Sequence, residues 1–327
     1  MKEYKEYLKE AGNVHLAYYL EAADSLDIKY SVLIPSLLAL FEYKNKHWYI
    51  INTVTPLTSS PSTTICKRKH LTNLILKRYG LPVPYQENIG SVIDAIKFFN
   101  KHKDIVIKPT QQLGGHGVSI LPQTEDQVIQ AYENAFKESH SSGSNKVIAE
   151  EFIHGENYRF LVVGQKVIGA VRRKAAHVIG NSKNTIRELV QAENDLRKEK
   201  LLMPILIDNE VNLKLTRSNL DLDSIPAEGE EIILRYNCNL TTGGTTEECM
   251  PEVHDYYKQI AIKAISSVGS EFGGVDIIAE NISKPSKVAI NEINYNPGLR
   301  LHYKVNKGNI VKVAIPIMEY IRDKYIN

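Results

Sequence analysis

Near the end of the sequence, two acids and an amide stand on apolar stretches. Asp276 lies in GVDIIAE (274–280), and Glu292 and Asn294 lie in INEIN (290–294). Glu292 and Asn294 are two apart, so a strand presents both on one face. A carboxylate turned into an apolar layer needs a partner. Two carboxylates with an amide oxygen form a hard-oxygen donor set, suited to a Mg²⁺ ion that keeps waters and bridges phosphates. The plainer reading is polar residues capping turns at strand edges. A second feature is VIKPTQQLGGHGVSI (106–120), where an apolar run ends in Lys108-Pro109 before Gly114, Gly115 and Gly117. The amides of a glycine turn make a concavity suited to phosphate. An ammonium at the end of a buried-type strand is costly unless it meets an anion. The stretch fits neither a P-loop, since Val118-Ser119 follow the last glycine, nor a dinucleotide loop, since the chain returns as a strand. By itself it reads first as a hairpin tip. KRKH (67–70) adds a second basic cluster, which alone reads as a solvated helix start.

The elements that must position these groups are legible from periodicity. Residues 1–27 read as helical, with Leu16, Tyr19, Leu20 and Ala23 on one face. FEYKNKHWYIIN (41–52) reads as a hairpin turning at Lys44-Asn45-Lys46, and TSSPSTT (58–64) as a linker. Helices follow at 69–79, stopped by Gly80 and Pro82, and at 91–101. The opening stretch becomes strand, glycine turn and return strand (117–121). Thr124–Gln127 is a capping box opening a helix to about 139. KVIAEEFI and RFLVVGQKVIGAV read as strands, the second a hairpin turning at Gly164-Gln165. Thr185–Glu188 is another capping box. EEIILRYN (230–237) reads as a strand, 252–269 as a long helix, GVDIIAE and KVAINEIN as strands, and 309–326 as a closing helix. Without repeats or low-complexity segments, this interleaving predicts an α/β or α+β chain.

Composition bounds the rest. The chain has 327 residues, 43% hydrophobic and 24% charged, which is ordinary for a globular protein. That length predicts two or three subdomains around a shared cleft. Forty basic and 38 acidic residues give a net charge of +2, which argues against nucleic acid as the main partner. Cys66, Cys238 and Cys249 form no CxxC pair, pointing to reduced thiols in the cytoplasm. MKEYKEYLKEAG has no apolar signal core, and the longest apolar stretch (30–41) is broken by Pro35, so no membrane association is expected.

Several ordered stretches carry a resemblance: VIKP…GGHGV, EEFIHGENYRFLVVGQKVIGAVRR, AHVIGN…TIRELV, LTTGGT, FGGVDII and NEINYNPGLRLH. Over roughly residues 65–305 they resemble the ATP-grasp superfamily, in particular the ATP-grasp domains of cyanophycin synthetase and bifunctional glutathione synthetase. The resemblance implies an ATP-grasp fold of class α/β (α+β), with two α+β subdomains gripping ATP. A small pre-ATP-grasp-like region would occupy 1–64 and the ATP-grasp domain 65–327, with a glycine-loop subdomain at about 105–155. It implies that Lys69 and Lys108 grip phosphate and that Gly114, Gly115 and Gly117 cover it. Glu150, Glu151, Phe152 and Ile153 would form the adenine hinge. Asp276, Glu292 and Asn294 would hold Mg²⁺, as two ions, with Mn²⁺ an alternative. Arg173 and Arg235, with Lys108, would attend the transferred phosphoryl group. His177, Asn239 and Arg300 fall in stretches that face the substrates. One departure concerns the ribose: relatives carry an acid two residues after the hinge glycine, and here Gly155 is followed by Glu156-Asn157, leaving Asn157 in that place. Ala175 and Asn181-Ser182 stand where Pro and Asp-Gly are usual.

The implied activity is ligation of an amino-acid or peptide carboxylate to an amine through an acyl phosphate. Its partners would be small-molecule substrates, and a homo-oligomer is compatible with the sequence. The chain shows neither the Mur-ligase-like domain of cyanophycin synthetase nor the γ-glutamylcysteine-making half of the bifunctional enzyme, which favours a stand-alone ligase. The alternatives are a glutathione-synthetase-like ligase, a ligase acting on a peptide or macromolecular end, and a non-catalytic ATP-binding module.

Overall fold

The structure, a computed structural model, describes residues 2–110, 117–141, 146–199 and 202–326. The chain forms α1 (Tyr4–Ala11), α2 (Val14–Ser25), β1 (Lys29–Ile34), β2 (Leu38–Tyr43), β3 (Lys46–Ile51), α3 (Ser60–Cys66) and α4 (Lys69–Arg78). Next come β4 (Gln86–Ile89), α5 (Val92–His102), β5 (Ile105–Pro109), β6 (Ser119–Ile120), α6 (Glu125–Ser141), β7 (Val147–Glu151), β8 (Glu156–Val163) and β9 (Lys166–Lys174). The remainder is β10 (His177–Ile179), α7 (Ile186–Glu199), α8 (Asn209–Arg217), β11 (Glu231–Ile233), β12 (Thr245–Glu248), α9 (Asp255–Ser267), β13 (Phe272–Ala279), β14 (Val288–Asn294), α10 (Arg300–Tyr303) and α11 (Ala314–Ile326). Two compact units result: residues 1–171, 248–304 and 308–327 in the first, and 172–247 with 305–307 in the second.

In the first unit, the stretch read as one N-terminal helix is two. Gly12 at φ +76° ends α1, and the Asn13 side chain accepts from the His15 and Leu16 amides to start α2. β1, β2 and β3 form an antiparallel sheet. Tyr43 pairs with Lys46 around Lys44-Asn45, with Lys44 at φ +53°, so the expected hairpin is present. The expected linker at 58–64 is instead a helix start. The Ser59 hydroxyl accepts from the Ser62 amide at 3.2 Å, and Pro61 sits in the first turn of α3. The same residue types that break chains also cap helices.

Sheet β4-β7-β5-β6 is antiparallel. Helices α5 and α6 cover it, packing Ala95, Phe98, Val128 and Ala131 against Ile105, Ile107 and Ala149. A second sheet runs β12-β9-β8-β13-β14, with β13 antiparallel to both neighbours. Tyr257, Ala261, Ala264 and Ile265 of α9 bury Tyr158, Phe160, Val275 and Ile277. β8 and β9 turn at Gly164-Gln165 as read from sequence, and Gly164 is required there. It sits at φ +55°, and a Cβ would lie 2.5 Å from the Tyr320 ring. Val313, Ile317, Met318 and Ile321 share a core with Leu16, Leu20 and Phe41 of the N-terminal elements.

The second unit pairs β10 with β11 and packs α7 and α8 through Val178, Ile186, Val190, Val211, Leu215 and Ile232. Thr185 and Glu188 cap α7 reciprocally, backbone to side chain in both directions at 2.8 and 3.2 Å. β11 stops at Ile233, short of the strand expected over 230–237, so Arg235 lies beyond it. The fold is mixed α and β, as expected, and its sheets are antiparallel. Among the described residues no helix is long and apolar enough to cross a membrane.

Candidate active site

The glycine stretch begins on β5, which is buried along its length. β6 returns antiparallel, Val106 opposite Ile120 and Ile107 opposite Ser119, so the expected return strand is present. Gly114 and Gly115 lie outside the described residues. Gly117 adopts φ +68°, and a Cβ on it would come 2.9 Å from the Glu138 side chain, so glycine is needed for conformation and for space.

Lys108 is 7% exposed and forms an ion pair with Glu150 of β7, itself 8% exposed. Burial holds the Lys108 ammonium below the ordinary lysine range; Glu150 opposes that shift and the Lys69 charge adds to it. Lys69, Lys108, Glu150 and Glu292 line one cavity, together with Cys66, Thr72, Leu76, Val83, Ile290 and Ile293. Burial and the Glu292 charge push the Cys66 thiol up to about 12. Four residues chosen from the sequence thus meet in one recess, two of them lysines.

Across β8, β13 and β14 runs a row the sequence reading only half contained. Asp276 sits opposite Glu292 on one side and opposite Arg159 on the other. Directly opposed residues share a face. Register jumps between Asp276–Glu292 and Ile277–Ile290, which makes Asn291 the extra residue of a β-bulge. The bulge lets Ile290 and Ile293, three apart, both join the apolar core. Glu292 and Asn294 stay in phase with Asp276 and Gly274. Asp276 is 2% exposed, and its carboxylate accepts from Arg159 Nε and, at 2.9 Å, from Arg159 Nη2. Burial opposes the Arg159 charge, and Asp276 more than offsets it, so the guanidinium is held above its usual range. A Cβ on Gly274 would lie 2.9 Å from Arg159 Cδ, so that glycine makes room for the arginine. Arg159 was missed, although an arginine opening the apolar run RFLVV demands a buried partner. His302 was also missed. It is 1% exposed, neither ring nitrogen has a partner, and burial with the nearby Arg159 charge depresses it to about 3.

The donor types at Asp276, Glu292 and Asn294 are of the kind a divalent cation takes. Asp276, Glu292 and Asn294 carry hard oxygens on adjacent strands, with both Asp276 oxygens accepting from Arg159. Among the described residues there is no group of three or more His, Cys, Asp or Glu fit to hold a metal ion.

The residues expected to form the hinge lie where β7 ends. The Glu151 amide donates to the Tyr85 carbonyl at 2.8 Å and the Phe152 amide to the Asp104 carbonyl at 2.9 Å, while Ile153 is buried. Asn157 is half-buried opposite Ile278, and Glu156 accepts from Tyr158 Oη at 2.5 Å, which occupies that acid. Arg300 opens α10, half-buried.

The remaining candidates belong to the second unit. Arg173 is half-buried on β9. His177 Nδ1 stands 2.9 Å from the Ala175 carbonyl, and Asn239 is exposed. Arg235 is 2% exposed and donates to Glu210 at 2.7 Å, Asp208 at 2.6 Å and the Leu206 carbonyl at 2.9 Å. Its Nε is buried without a partner. The acids that pair it lie at the start of α8.

Residues 86–203 match the family model described as prokaryotic glutathione synthetase, ATP-grasp domain. The glutathione biosynthesis bifunctional protein of Clostridium perfringens is 34% identical over 281 residues, covering 82% of this chain and 36% of that protein. Cyanophycin synthetase of Trichormus variabilis is 31% identical over 313 residues, covering 92% of this chain and 34% of that protein. The crystal structure of a bifunctional glutathione synthetase from Pasteurella multocida superposes with a TM-score of 0.70 at 26% identity, over 96% of this chain and 45% of that one. The chain spans about a third of the length of these curated relatives.

Proposed function

We propose that this chain, a member of the ATP-grasp superfamily, is an ATP-dependent ligase that joins an amino-acid or short-peptide carboxylate to an amine. The observation that carries the reading is the recess where Lys69, Lys108 and Glu292 meet beside the Arg159–Asp276–Glu292 row. It sets cations for phosphate next to carboxylates for a divalent metal. In this reading residues 65–327 carry the nucleotide chemistry and 1–64 support it.

Lys69 and Lys108 take the phosphate oxygens of ATP, the buried ammonium of Lys108 exchanging part of its attraction to Glu150 for them. Asp276, Glu292 and Asn294 would hold the metal, which would supply positive charge to neutralise the triphosphate. Two Mg²⁺ ions fit the charge of the triphosphate, and Mn²⁺ has the same ligand preference. Gly114, Gly115 and Gly117 cover the phosphates, and Glu150 to Ile153, with Asn157 on the ribose, receive the nucleoside. A carboxylate oxygen of the substrate attacks the γ-phosphorus, and the bond to the β-phosphate oxygen breaks, leaving ADP. The amine then attacks the acyl carbon, phosphate departs, and the amine loses its proton. Arg173 and Arg235 hold the transferred phosphoryl oxygens, and His177, Asn239 and Arg300 hold substrate. Such transfer relies on positioning and charge.

A glutathione-synthetase-like ligase is the second reading, favoured by the family model over 86–203. Hydroxylamine trapping separates the cases. ATP, Mg²⁺ and hydroxylamine are incubated with a panel of amino acids and short peptides, γ-glutamylcysteine included. The ligase reading expects ADP and a hydroxamate only with a cognate carboxylate, and neither from Glu292→Ala. ATP binding without ADP release across the panel would favour a non-catalytic module.

A further inference from the structure

Helix α2 meets the segment that follows β14 on both sides of Arg300. The His15 ring lies against Gly298: a Cβ there would come 3.3 Å from its Cε1 and 3.7 Å from its Nε2. One turn on, Tyr18 stacks on Tyr303, ring centroids 3.7 Å apart and planes 12° from parallel. His15 and Tyr18 themselves meet edge to face at 6.4 Å. Arg300 lies two residues after Gly298 and three before Tyr303, so two consecutive contacts from one helix bracket it.

Other contacts hold the same segment. The Thr53 hydroxyl donates to the Asn296 carbonyl at 3.1 Å, and Leu299 is fully buried in the core that contains Leu16 and Leu20. The first turn of α2 is itself fixed, because Asn13 caps it through the His15 and Leu16 amides at 3.0 and 2.9 Å. His15 Nδ1 is buried without a partner. Burial, with the Arg300 charge adding to it, keeps the imidazole below its usual range and hence neutral, so the ring adds no competing cation.

We propose that α2 is a specificity element of the ligase site: His15 and Tyr18 position the Arg300 guanidinium for the carboxylate of the amino-acid or peptide substrate. The inference rests on the reading of Arg300 given under Proposed function. A guanidinium discriminates by the angle at which its fork meets a carboxylate, so setting the backbone on either side of it tunes recognition.

A compensating pair tests this. Gly298 is outside the left-handed region, so Gly298→Ala adds a methyl group without backbone strain and presses it on the His15 ring. With ATP and the panel carboxylate that gives most hydroxamate, Gly298→Ala is expected to raise KM for the carboxylate about tenfold. KM for ATP should change less than about twofold, since the nucleotide groups are not involved. His15→Ala should raise the carboxylate KM as well. In that background the added methyl should have no further effect, the non-additivity of a shared contact. Equal effects on both KM values, or additive effects of the two substitutions, would overturn the positioning role. Arg300→Ala separates the two readings. If it leaves the carboxylate KM unchanged, the substrate role of Arg300 fails. If it raises KM while His15→Ala and Gly298→Ala do not, only the positioning role fails.

Discussion

Replacing Arg159 with methionine probes the row at the centre of the site. The Arg159 and Asp276 side chains are 9% and 3% exposed, so solvent screens their interaction little. The substitution keeps an apolar stem in the space opened by Gly274 and removes both contacts to the Asp276 carboxylate. A buried carboxylate left without its partner costs about 3–5 kcal/mol. Glu292, directly opposite, adds like-charge repulsion to that loss. The second substitution, Asp276→Asn, removes the buried charge and should return at least about 2 kcal/mol in the double variant. Urea unfolding at pH 7 without nucleotide or metal, followed by tryptophan fluorescence and circular dichroism, measures both steps. A loss below about 1 kcal/mol for Arg159→Met would match a solvated surface pair and refute a buried row. A double variant no more stable than the single would show that the loss came from packing rather than charge.

Lys108→Met should weaken ATP binding by about 10–100-fold, the value of a charge-assisted contact, in calorimetric titration. It should also lower the unfolding temperature, because Glu150 loses its buried partner. Unchanged stability would mean that Glu150 is satisfied elsewhere. His302 makes stability pH-dependent: its folded value is lowered to about 3, so the neutral form is favoured in the fold. Its contribution is full above about pH 6.5 and is lost as pH falls toward 3, by about 2 kcal/mol at pH 5. His302→Leu should flatten the profile between pH 7 and 5 relative to wild type, and parallel profiles would contradict this. Arg235→Ala should cost about 1–3 kcal/mol in urea unfolding, since Asp208 and Glu210 are partly exposed and rehydrate. If the same residue attends the phosphoryl group, kcat falls far more than KM for ATP rises, and an unchanged kcat rejects that role.

The sequence alone determined the local elements and the residue types. Strand period put Glu292 and Asn294 on one face, Gly164-Gln165 marked a hairpin, Thr185 and Glu188 marked a helix start, and Lys108 stood out at the end of an apolar run. These follow from rules spanning two to four residues, which sterics and backbone hydrogen bonding impose on any chain. The tertiary structure decided what those groups meet. Arg159 and Asp276 are 117 residues apart and touch only because β8 lies beside β13. The bulge at Asn291, which puts Glu292 opposite Asp276, is a matter of register between strands, invisible to alternation along one. TSSPSTT could begin a helix or link two segments, and burial of Ser62 and Cys66 selected the helix. Arg235 took acids from α8 instead of its neighbours, and Gly298 faced a histidine from the second helix of the chain. Contacts of this kind form when loop closure and core packing together favour one long-range arrangement, and no window of sequence contains both partners.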